Sequence, residues 1–190
     1  MLSQIAQTNF VCDYPAPMAD TFDPERYMGV WYSIASSAGD PHIPVYPCIS
    51  ALYDQLDLTV GSFRVQNASC DVVGEVRDNL TGSASIADCP NAQAKVSFFG
   101  AVIDEPNYKI LDTDYDTYAV VYACDDDSAV PNLWFLGREN SFSDELLATL
   151  KLQTAETLPN YDWTMQAFNE QTDECKYDTG FNYSSVPTVL

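Results

Sequence analysis

From residue 30 to residue 138 the chain repeats one local pattern, a short run of β-prone residues followed by a cluster of turn formers. The runs cover residues 30–35, 49–57, 62–66, 75–87, 95–100, 108–112, 117–124 and 133–138. Spacing this even, with turn residues between, is the mark of an antiparallel meander. Eight consecutive strands close naturally into an up-and-down barrel, which removes the sheet edges that aggregate. An open sandwich is the alternative that the pattern leaves.

Helical signals occur twice. Asp23, Pro24 and Glu25 supply a capping acid, a helix-starting proline and a first-turn carboxylate, and predict one short turn before the first strand. Ser143 caps a second segment with Asp144 and Glu145 in its first turn. Leu146, Leu147, Leu150 and Thr154 fall on one face of it, so this helix is expected to lie against the outside of the barrel. Residues 161–168 read as a last short strand. The domain reading is an irregular arm over 1–21, carrying Pro15 and Pro17, a barrel domain over 22–177 and a loose tail over 178–190.

Charge narrows the partners. Eight Lys and Arg stand against 28 Asp and Glu, a formal net charge of −20. Such a surface repels phosphate backbones and anionic membranes, so nucleic acid is not an expected partner. The run Asp125, Asp126, Asp127 lacks the glycine and distal glutamate of a calcium loop and reads as a solvated hairpin tip. No apolar stretch approaches the roughly 18 residues that a membrane-spanning helix needs.

Six cysteines, at 12, 48, 70, 89, 124 and 175, include no CxxC pair, and the single histidine, His42, cannot complete a clustered zinc site. No metal is expected, and disulfides account for the cysteines better. With three sequons, at Asn67, Asn79 and Asn182, they point to an exported, glycosylated protein. The N-terminus lacks a charged start followed by an apolar run, which reads as a mature chain without its signal peptide.

Three separated patches carry a family resemblance: FDPERYMGVW over 22–31, TDYDTYAVVYAC over 113–124, and Arg138 ahead of the capped helix. Together and in this order they resemble the lipocalin family over roughly residues 10–177. The family's Gly29 and Trp31 lie in the first patch, its turn of Thr113, Asp114 and Tyr115 in the second. Physically, Gly29 lets backbone pass closely, Trp31 plugs one end of a barrel, and Arg138 would sit over that indole while bonding nearby carbonyls. These six residues are read as structural.

Within the family the chain looks most like the branch of apolipoprotein D, insect bilin-binding protein and crustacyanin. That resemblance implies the bridges Cys12 to Cys124 and Cys48 to Cys175. Cys70 and Cys89 are then left to pair with each other, which departs from the branch. The resemblance also implies ligand contacts at Trp134 and at Tyr53, which Ala51 would accompany.

Alternation extends this set. Residues sharing parity with Arg138 point inward, which selects Trp134 and Leu136. With Lys95 and Lys109 turned to water, Val96, Phe98, Tyr108 and Ile110 face the interior. Tyr118, Val120 and Tyr122 share one face of their strand, taken as the inner one for its aromatic content. His42 and Tyr46 belong to a Pro-flanked loop that would overhang the open mouth, where His42 could bond a ligand carbonyl or propionate.

The expected function is therefore a secreted, noncovalent carrier of a small hydrophobic ligand, an extended chromophore such as the carotenoid astaxanthin or the bilin biliverdin. No other cofactor is required. Fatty acid or sterol transport is the alternative, as is a lipocalin-type isomerase using a free cavity cysteine, for which Cys70 is the candidate. No Ser, His, Asp arrangement is evident, so the chain is not expected to be an enzyme. Apolar Ile43, Val45 and Tyr46 in the mouth loop could also support a homodimer or higher oligomer.

Overall fold

A computed structural model describes residues 12–13, 15–18, 22–37, 47–70, 76–87, 91–125 and 130–177. A single turn of helix, α1 (Pro24–Tyr27), leads into eight strands: β1 (Gly29–Ser37), β2 (Ser50–Asp57), β3 (Ser62–Cys70), β4 (Val76–Ser85), β5 (Gln93–Phe98), β6 (Tyr108–Thr113), β7 (Tyr118–Asp125) and β8 (Val130–Gly137). Helix α2 (Asp144–Thr157) and a short strand β9 (Gln166–Phe168) follow. Each strand pairs antiparallel with the next, and β1 pairs with both β8 and β2, so the sheet closes into an eight-stranded barrel. The open sandwich is thereby excluded.

The caps form as the side-chain chemistry dictates. Asp23 Oδ1 accepts the backbone N–H of Glu25 and of Arg26, each at 3.1 Å, while Pro24 stands where no N–H is needed. Ser143 Oγ accepts the Leu146 N–H at 3.2 Å and starts α2. The expected strand over residues 161–168 forms only at its end. Asp162 accepts the Thr164 N–H at 2.9 Å and its hydroxyl at 2.6 Å, which turns Trp163–Met165 into a 3-10 helix before β9 begins.

Two apolar cores share the barrel wall. The inner one gathers Trp31, Tyr53, Phe63, Val65, Ala94, Val121 and Leu136. The outer one packs Leu150 and Leu158, from α2 and its end, against Val120, Tyr122, Leu133 and Phe135. Strands β7 and β8 therefore bury both faces.

That double burial corrects one expectation. On β7 the inward residues are Ala119, Val121 and Ala123, and Tyr118, Val120 and Tyr122 face the helix instead. The Tyr118 hydroxyl donates to Asp112 Oδ2 at 2.8 Å, and the Tyr122 hydroxyl accepts the Asp13 N–H at 3.0 Å. A strand with a helix on one side and a cavity on the other is apolar throughout, so aromatic content does not reveal which face is inner.

The seam of the barrel is shared. Strand β1 pairs with β2 from Gly29 to Tyr32, and with β9 from Ala35 to Ser37. Between these the C-terminal segment fills in. The Gln171 side-chain amide donates to the carbonyls of Ser33 (2.8 Å) and Ile49 (2.7 Å), the Asn169 N–H donates to Ile34 O (3.0 Å), and the Cys48 N–H donates to Glu170 O (2.8 Å). Disulfides Cys48–Cys175 and Cys12–Cys124 anchor the two ends of the domain to the wall, with Cα separations of 5.6 and 5.8 Å.

Candidate functional site

One end of the barrel is sealed. Trp31 is wholly buried, its Nε1–H donates to Tyr27 O at 2.9 Å, and the Arg138 guanidinium carbon lies 3.6 Å from the indole centroid. Arg138 spends its hydrogens on main chain: Nε to Tyr115 O (2.9 Å), Nη1 to Val30 O (2.8 Å), and Nη2 to Arg26 O (2.9 Å) and Met28 O (3.0 Å). Gly29 has φ +101°, and a Cβ there would come within 3.3 Å of Arg138 Nη1. A left-handed backbone beside a packed guanidinium requires glycine.

The β6–β7 turn supports this plug. Thr113 Oγ1 accepts the Tyr115 N–H at 2.9 Å and donates to Tyr118 O at 2.5 Å. Asp114 Oδ1 accepts the N–H groups of Asp116, Thr117 and Tyr118 at 3.1, 2.7 and 3.0 Å. Burial alone would raise the Asp114 carboxyl, but these donors outweigh it and hold the group below the usual range. The Tyr115 hydroxyl accepts the Asp23 N–H at 3.0 Å, tying the turn to the cap of α1.

Above the plug lies a cavity of about 300 Å³. Its walls are rings and aliphatic groups: Tyr53 and Ala51 from β2, Phe63 and Val65 from β3, Leu80 from β4, Val96 and Phe98 from β5, Tyr108 from β6, and Trp134 and Leu136 from β8. Ala123 completes the β7 side. The Phe98 ring lies where the side chain of residue 82 would project, and Gly82 leaves that space to the ring.

Three tyrosines form the lower part of this interior. The Tyr108 hydroxyl is 2.8 Å from that of Tyr27 and 2.9 Å from that of Tyr53, and the Tyr27 and Tyr53 rings stack 5.5 Å apart. Burial pushes the Tyr53 hydroxyl up to about 12 and those of Tyr27 and Tyr108 well above their ordinary value, so all three stay protonated.

This geometry gathers Trp134, Tyr53, Tyr108, Phe98 and Leu136 at one cavity and leaves Tyr118 and Tyr122 outside it. His42, Tyr46, Cys89 and Asn182 lie outside the described residues, as does the Cys70 side chain. Asn67 changes role. It lines the cavity beside Ala51 and Leu80, its partners on β2 and β4, so its amide faces the interior of the barrel. Asn79 is exposed on the outer side of β4. Phe63 and Val65 share a face with Asn67 by alternation, but the sequon there points that face outward, and no local signal marks Tyr27, whose hydroxyl partner lies 81 residues away.

A family model described as a lipocalin-like domain matches residues 22–170. The chain belongs to the lipocalin family. This lipocalin is 32% identical over 148 residues to apolipoprotein D of Cavia porcellus, covering 74% of this chain and 72% of the relative. It is 26% identical over 164 residues to the Lazarillo protein of Schistocerca americana, covering 84% and 73%. Among solved structures, lobster apocrustacyanin A1 superposes with a TM-score of 0.65 at 20% identity, over 83% of this chain and 84% of that one. Insecticyanin from Manduca sexta superposes with a TM-score of 0.68 at 18% identity, over 88% and 90%. The lipocalin thus falls in the branch that its patches resemble, and its apolar cavity is that of a carrier of small hydrophobic molecules.

Proposed function

We propose that this lipocalin holds an extended conjugated pigment, a carotenoid or a bilin, without a covalent bond. The observation that carries the reading is an apolar cavity walled by Trp134, Phe98, Phe63, Tyr53 and Tyr108 and plugged at one end by Trp31. Flat rings stack on the faces of a conjugated chain, and hydroxyls meet its polar ends.

A volume of about 300 Å³ lies at the lower edge of the roughly 300–1,000 Å³ usual for ligand pockets. One end group of a long guest would seat inside, and the rest would extend through the mouth. There Phe99 and Val102 are 90% and 86% exposed, which supports shelter of the protruding part by a second copy. Long-range disulfides support a life outside the cell, and binding, not catalysis, is the role that the cavity chemistry favours.

Titration with astaxanthin and with biliverdin, followed by the visible absorption of the pigment and by quenching of tryptophan fluorescence, tests the proposal. Saturable quenching with a shifted absorption band is the expected result. Failure of both pigments to bind overturns it. Light scattering with and without pigment reads the association of copies.

A further inference from the structure

We infer that the cavity selects guests whose buried end is a neutral hydrogen-bond acceptor, such as a carbonyl or hydroxyl oxygen, over guests that end in a carboxylate. The inference rests on the carrier reading and specifies the chemistry of its floor.

Proton counting leads there. Three hydroxyls, those of Tyr27, Tyr108 and Tyr53, are joined by two hydrogen bonds with Tyr108 in the middle. Each hydroxyl has one proton to donate, so two bonds leave one proton over. Tyr108 cannot donate to both neighbours, and three arrangements remain. If Tyr27 donates to Tyr108 and Tyr108 to Tyr53, the spare proton is on Tyr53. If both outer hydroxyls donate to Tyr108, it is on Tyr108. If the chain runs the other way, it is on Tyr27, which is wholly buried and does not line the cavity, and whose hydroxyl bonds Tyr108 alone among the described residues. A donor enclosed without an acceptor is costly, so the last arrangement is disfavoured. The spare proton therefore resides on a residue that lines the cavity.

A guest oxygen is the natural acceptor for it, yet nothing there compensates a negative charge. Among the described residues no Lys, Arg or His lines the cavity. Arg138 reaches the floor through its field, but four of its five N–H hydrogens are committed to the carbonyls of the plug. The tyrosines themselves report the balance. Burial raises the Tyr53 hydroxyl to about 12 even though its bond with Tyr108 and the field of Arg138 act to lower it, so negative charge is disfavoured at this spot with the cation included. A carboxylate placed here would be buried with neutral donors alone and no cation to balance its charge.

Three polyenes of one skeleton test this: all-trans-retinal, methyl retinoate and retinoate, each titrated near neutral pH by quenching of tryptophan fluorescence. Retinal and the ester should bind alike, and retinoate at least about tenfold more weakly. The infrared carbonyl stretch of bound retinal should lie below its value in hydrocarbon solvent, and the double variant Tyr53→Phe, Tyr108→Phe should return it. Retinoate binding as tightly as retinal, or a carbonyl stretch unmoved in the unsubstituted protein, overturns the inference while leaving the carrier reading intact. If none of the three binds and the pigments also fail, both fall together.

Discussion

The ring of Phe98 occupies the space above Gly82, where a Cβ would stand 2.5 Å from the ring's Cδ1 and would also press on the Ser97 carbonyl of the paired strand. Gly82→Ala should therefore drive Phe98 off its wall. Because the backbone neighbour cannot yield, the overpacking should cost about 1–3 kcal/mol of stability. A lowered urea midpoint together with altered pigment affinity is expected. Unchanged affinity with a lowered midpoint would show that Phe98 does not shape the cavity.

Arg138 serves as a clip across four carbonyls. Replacement by Lys keeps a positive charge but supplies three donors that cannot span the same fork. Arg138→Lys should destabilise the barrel by roughly 1–3 kcal/mol, the cost of leaving a buried acceptor unmet. The near-ultraviolet circular dichroism of Trp31 should weaken in parallel. A variant as stable as the parent would remove the plug from the account of the fold.

Helix and cavity are separable. Leu150 is buried between α2 and the outer wall, so Leu150→Ala should cost about 2–5 kcal/mol and leave the pigment dissociation constant unchanged when measured well below the midpoint. A large affinity change would mean that the outer core sets the shape of the inner one.

Alkaline pH should destabilise the protein through its buried phenols. The native hydroxyl of Tyr53 is held up to about 12, and those of Tyr27 and Tyr108 are also raised well above their ordinary value, against about 10 in the unfolded chain. The unfolded state then loses protons first. The stability these groups contribute is full below about pH 10 and falls as pH climbs toward 12. Absorbance at 295 nm should show these tyrosines among the 12 of the chain titrating late, together with unfolding. Tyr53→Phe should lessen the loss.

Of the two sequons on paired strands, that of Asn79 faces outward and that of Asn67 faces the cavity. When the chain is produced through a secretory pathway, Asn79→Gln should remove glycan mass and Asn67→Gln should remove none. Sugar found on Asn67 in folded protein would contradict the register of β3.

Much of this architecture can be read from the chain. Regular turn spacing sets the strand count, and Arg138 fixes the inward parity of β8, since a guanidinium bound to the plug anchors Leu136 and Trp134 on the same side. Strand β7 lacks such an anchor: both its faces are apolar because both are covered. Asn67 was hidden by its own tripeptide, which suggests a surface asparagine until its neighbours Phe63 and Val65 are seen to share its side. The tyrosine chain is illegible for another reason. Its bonds join residues 55 and 81 positions apart, and nothing near any of the three marks them as partners.

The Gln171 amide, bridging Ser33 and Ile49 where the first two strands part, makes the protein its own gasket. A chain shortened before Gln166 would keep every long strand, yet its flank would stand ajar and a guest could escape sideways. How long cargo is retained should thus depend on the stretch from Gln166 to Gln171, which belongs to none of the eight barrel strands.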